Sequence, residues 1–135
     1  MEGNIIFYTL DFILKIFPHD KFEGFGDISI IFPIVYRSLN LPNSENHETG
    51  SQICRYSQSI KDNIAEGYGR RKYKNDFVKF LIYSNASLLE SKSQSEFLDT
   101  MQPNTDWNEI CKRLDELEIR LNHFITFVEK KWKTT

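Results

Sequence analysis

The feature that most limits what this chain can become lies in its last third. Trp107, Leu114, Leu121 and Val128 stand seven residues apart, and Ile110, Leu117 and Phe124 form the complementary row. An a/d seam kept over about three heptads belongs to coiled coils and to antiparallel helix bundles. The turn Gln102-Pro103-Asn104 precedes it, with Asn104, Thr105 or Asp106 placed to cap the helix. Lys130, Lys131 and Lys133 fall near its C-terminal end, where cations oppose the negative end of the helix dipole.

The middle of the chain repeats the helical period less cleanly. Ile53, Ser57, Ile60 and Ile64 share a face, with Tyr56 beside them, and predict a helix from about Glu48 or Ser51 to Glu66. Gly67 then stands where a left-handed glycine would end it, and Asn75 or Asp76 is placed to cap the next helix. That helix carries Phe77, Phe80, Leu81, Ser84, Leu88 and Ser91 at helical spacing. Its stripe turns small midway, at Ser84, Ser87, Ser91 and Ser95, which predicts close approach of a neighbouring helix. Residues 43–50 read as a polar connection. Before them, Ile30, Ile31, Ile34, Val35 and Leu39 predict a further helix, kinked at Pro33 or starting near it. No strand alternation appears after residue 20. The fold class is therefore all-α, an antiparallel bundle.

The run IIFYTLDFILKIF, residues 5–17, is strongly apolar but too short to span a bilayer, and Asp11 and Lys15 interrupt it. Glu2 stands where a signal peptide carries positive charge. The run reads as an extra helix on the domain or on a neighbouring subunit, with a strand as the alternative. The organisation is thus an N-terminal extension, 1–25, followed by the bundle, 26–135. A chain of 135 residues with net charge −2 offers no whole-molecule attraction to nucleic acid or anionic lipid, so any such contact needs a local patch. Cys54 and Cys111 form no metal or redox pair and suit a reduced, cytoplasmic chain.

The search for chemistry yields little. His19, His47 and His123 are isolated, and no Glu-x-x-His pair offers a di-metal site, so no metal or cofactor is expected. Gly67-Tyr68-Gly69 fits neither phosphate-loop spacing and follows a helix rather than a strand. Asp62 and Glu66, four apart near a helix C-terminus, read first as partners of Lys61, Arg70 or Arg71. An enzyme using them with Asn63 is the lesser alternative. The local patch is GYGRRKYK, residues 67–74. Arg70, Arg71, Lys72 and Lys74 can grip phosphate, and Tyr73 can stack on a base.

The stretch 51–98 also resembles a known family. The matching residues are Ser59-Ile60, Asn63-Ile64-Ala65-Glu66-Gly67, Tyr68, Gly69-Arg70, the aromatic-rich 77–83 and Ser87-Leu88-Leu89-Glu90. They are similar to the bacterial four-helix-bundle proteins first noticed within intervening sequences of large-subunit ribosomal RNA genes. The resemblance implies an up-down four-helix bundle, a homopentamer and no established enzymatic activity. Its relatives include retroelement accessory proteins that bind nucleic acid and a reverse transcriptase. Cys54 replaces a basic residue common in that family, and Pro33 falls in its first helix. The resulting expectation is a non-enzymatic cytoplasmic homo-oligomer, not membrane-bound, that binds RNA, DNA or a nucleic-acid enzyme through Arg70, Arg71, Lys72, Tyr73 and Lys74. Ser59, Asn63, Glu66, Gly67 and Gly69 would hold the motif together. The alternative is a structural or protein-partner module with no nucleic-acid affinity.

Overall fold

A computed structural model describes residues 44–101 and 107–133, with side chains from residue 51 onward, Cys54 excepted. Among the described residues there are three helices and no strand: α1 (Ser44–Gly69), α2 (Lys74–Met101) and α3 (Trp107–Lys131). The expectations for residues 1–43 that concern the extension and the Pro33 helix lie outside the described residues, as does the 102–106 turn with its cap.

The chain folds back twice, and α2 packs against both α1 and α3. The first crossing is set by the serine stripe. Ser84 donates its hydroxyl to the Ile60 carbonyl at 2.7 Å, and the Ser59 and Ser87 hydroxyls meet at 2.8 Å. Ser91 and Ser95 are fully buried and return their hydroxyls to the carbonyls of Ser87 and Ser91 on their own helix. Their polarity is thus satisfied, and their small volume lets another backbone come close. The expected tight helix contact is present. On the other flank, Lys92 bridges α2 to α3 through Asp115 at 2.6 Å and Glu118 at 3.3 Å.

The heptad seam of α3 is buried from Trp107 to Val128. Its inward residues divide into two clusters. One, near the α1–α2 turn, gathers Ile60, Ile64, Phe77, Leu81, Leu88, Leu121 and Phe124 among others. The second, at the opposite end, joins Ile53, Leu98, Trp107, Ile110 and Leu114. On α2 the break between them falls at Ser91 and Ser95, where the stripe has no large side chain to contribute.

Three boundaries differ from the sequence reading. Helix α1 begins at Ser44, so residues 44–50 are helical rather than a connection. No proline follows Pro42 there, and extending an existing helix across a single glycine costs only about 1 kcal/mol. Gly67 does not end α1 with a left-handed turn. It lies inside the helix, and neither it nor Gly69 has a positive φ. Nor does Asn75 or Asp76 cap α2. The Phe77 amide donates to the Tyr73 carbonyl at 3.0 Å, which puts Tyr73 at the cap and Asp76 in the first turn.

Candidate nucleic-acid interface

The site begins with the way α1 stops. The Arg70 amide is shared between the carbonyls of Glu66 and Gly67 at 3.2 and 3.1 Å, and the Arg71 amide donates to Tyr68 at 3.1 Å. The last turn therefore tightens to three-residue spacing. The Tyr73 amide then donates to the Arg70 carbonyl at 2.8 Å and closes the turn. A reversal this short is possible because Gly67 lets α2 approach. A Cβ on Gly67 would sit 3.0 Å from the Phe80 Cβ and 3.3 Å from the Phe77 carbonyl oxygen.

The other motif residues have different surroundings. Asn63 donates its amide to the Ser59 carbonyl at 2.8 Å and to the Ser59 hydroxyl at 2.9 Å, and that hydroxyl meets Ser87 on α2. Glu66 receives the Arg70 Nε at 2.8 Å. A Cβ on Gly69 would meet nothing within 4 Å. Asn63, Asp62 and Glu66 each have a different partner. Asp62 pairs with the buried Lys61 at 3.5 Å, and the two carboxylate side chains are 68% and 51% exposed.

The five basic and aromatic residues of the turn are not equivalent. Arg70 is held by Glu66, lies 3.7 Å from Asp76 and covers the Phe80 ring at 5.1 Å. The Glu66 hydrogen bond, first, and the Asp76 charge raise its pKa further, so its charge is locally answered. Arg71 lies flat over Tyr68 at 4.0 Å and donates to the Tyr68 carbonyl at 3.0 Å, with the guanidinium still at the surface. Lys72 is exposed and Lys74 half-buried. Tyr73 is 63% exposed. The structure thus places Arg71, Lys72 and Tyr73 at the surface with Lys74 half-buried beside them, and none of the three cations has a carboxylate partner among the described residues.

Sequence reasoning missed the neighbour of this turn. Trp132, just beyond α3, donates its indole N–H to the Arg71 carbonyl at 3.3 Å and sets its ring edge-on to Phe77 at 5.1 Å. Phe77 in turn meets Tyr68 and Phe124 edge-on. The C-terminal lysines therefore share an end of the bundle with the turn. Only the aromatic residue between Lys131 and Lys133 hinted at it.

Among the described residues, no group of His, Cys, Asp and Glu could hold a metal ion, and no helix is long and apolar enough to cross a membrane. Burial pushes the Cys111 thiol up to about 11, which keeps it protonated and a poor nucleophile.

The fold and this end define an antiparallel helical protein with a basic, aromatic-braced turn. The chain belongs to the 23S rRNA-intervening sequence protein family, whose family model matches residues 32–123. No curated protein and no solved structure matches it.

Proposed function

We propose that this protein is a non-enzymatic scaffold that assembles with copies of itself in the cytoplasm and binds nucleic acid through the turn 70–74. In this reading residues 27–42 supply a fourth helix and complete an up-down bundle. The observation that carries the reading is the exposed Arg71, Lys72 and Tyr73 with half-buried Lys74 beside them, on a turn whose own acids are spent on Arg70. Self-assembly is supported by α2, which is apolar on two sides. Phe77, Leu81, Leu88 and Leu98 face the core, while Ile82, Leu89 and Phe97 recur on the outer side, each exposed by 43–54%. The resemblance to a pentameric family points the same way.

The test is a salt titration of RNA and DNA binding. Phosphate contacts make log affinity fall linearly with log salt, by about 0.7–0.9 per phosphate neutralised. Replacing Arg71, Lys72 and Lys74 with glutamine should flatten that slope by about 2, while Arg70→Gln should change it far less. Absence of binding at low salt would favour the second reading, a protein-partner module with a merely solvated turn.

A further inference from the structure

The basic end is larger than the motif that marks it. The Trp132 hydrogen bond to Arg71 and its packing on Phe77 fix residues 130–133 beside the turn, across 61 positions of sequence. Lys130, Lys131 and Lys133 are exposed there. Like Lys72 and Lys74, they have no carboxylate in ion-pair contact among the described residues. The nearest acids in sequence are Glu66 and Asp76, taken by Arg70, and Glu129. On a chain of net charge −2 this is a concentrated positive surface drawn from two distant segments. The aromatic residues of this end divide by role. Tyr68 is covered by Arg71, and Trp132 is spent on Phe77, Phe127 and the Arg71 carbonyl. Tyr73 alone among these three presents an open ring, 63% exposed, with Lys72 Nζ 6.0 Å from its centroid.

Cations beside an open aromatic face suit an unpaired base and its phosphates. A duplex hides its base faces and could use only the charges. We propose that residues 70–74 and 130–133 form one composite site for single-stranded nucleic acid. Arg71, Lys72, Lys74, Lys130, Lys131 and Lys133 track the backbone, and Tyr73 stacks on a base. Trp132 is a positioning residue that joins the halves. This rests on the reading that the chain binds nucleic acid at the turn.

The experiment is fluorescence anisotropy on the full chain with labelled oligouridylate, oligothymidylate and a duplex of equal length, each across a salt series. A melting curve for every variant confirms folding. Lys130→Gln/Lys131→Gln/Lys133→Gln should flatten the single-strand salt slope by about 2 and weaken binding at least tenfold. Tyr73→Ala should weaken single-strand binding by about 5- to 100-fold and leave duplex binding unchanged, and Tyr73→Phe should restore it. Trp132→Phe, which keeps the ring but loses the N–H, should weaken single-strand binding in part and flatten the salt slope by less than the lysine variant does.

Wild-type binding with an unchanged slope in the lysine variant overturns the composite site while leaving the turn as a binder. Duplex bound as tightly as single strand, or Tyr73→Ala without effect, overturns the stacking role. No wild-type binding at low salt overturns both this inference and the reading beneath it.

Discussion

At the scale of single residues, Gly67 and Gly69 look alike in the sequence and differ in what they do. Adjacency to Glu66 suggests a capping glycine at 67, and that reading needs a positive φ. The structure replaces it with a clearance requirement, because α2 crosses where a Cβ would stand. Alanine favours a helix over glycine by roughly 1 kcal/mol. At position 67 the contact with the Phe80 Cβ at 3.0 Å and the Phe77 carbonyl at 3.3 Å outweighs that gain, since neither atom is the free end of a side chain. Gly67→Ala should therefore destabilise the fold by about 1–3 kcal/mol. Gly69→Ala meets nothing, and should be neutral or stabilising by up to about 1 kcal/mol. Urea unfolding midpoints, with m unchanged, check the pair. Equal losses at both positions would contradict the clearance argument.

At the scale of elements, α3 was legible because its seam is long and one side chain deep, so period alone identifies the buried row. The serine stripe of α2 was legible as a contact but not as a hydrogen-bond pattern, because Ser84 to Ile60 is a tertiary choice. Helix ends were least legible. Where α1 stops depends on the Arg70 and Arg71 amides finding tighter partners, and where α2 starts depends on the Tyr73 carbonyl. Composition marks neither. The α2–α3 pairing offers a pH-dependent prediction. The Asp115 hydrogen bond, ahead of Glu118, raises the Lys92 pKa above its ordinary 10.5. A base raised by folding stabilises the protein fully below its unfolded value, and that gain disappears as pH rises through the folded value. Lys92→Met should thus melt lower than wild type at neutral pH, by about 0.5–1 kcal/mol for a partly exposed pair. On the alkaline side the gap should persist to 10.5 and close above it. A gap independent of pH would assign the loss to packing of the lysine stem.

At the scale of the whole molecule, the turn 67–74 was readable because it is contiguous. The lysines that join it were not, because Trp132 and Arg71 stand 61 positions apart and only folding brings them together. The outer side of α2 poses the remaining question. A lone amphipathic helix hides one apolar side, and one apolar on two sides needs a second cover. Ile82 and Leu89 are 50% and 43% exposed, and a copy of the same chain is the cover the proposed assembly supplies. Leu89→Glu puts a charge into that contact while leaving the core residues Leu88 and Leu81 untouched, and an unpaired charge cannot be buried without a large penalty. Light scattering should show wild type as a single oligomer and Leu89→Glu as a smaller species. Circular dichroism should show equal helicity, since position 89 meets solvent in the single chain. A monomeric wild type would remove the scaffold reading but leave the basic end intact. An oligomer indifferent to Leu89→Glu would move the subunit contact to another face, with Ile119 and Phe127 on α3 as the next exposed apolar residues to change.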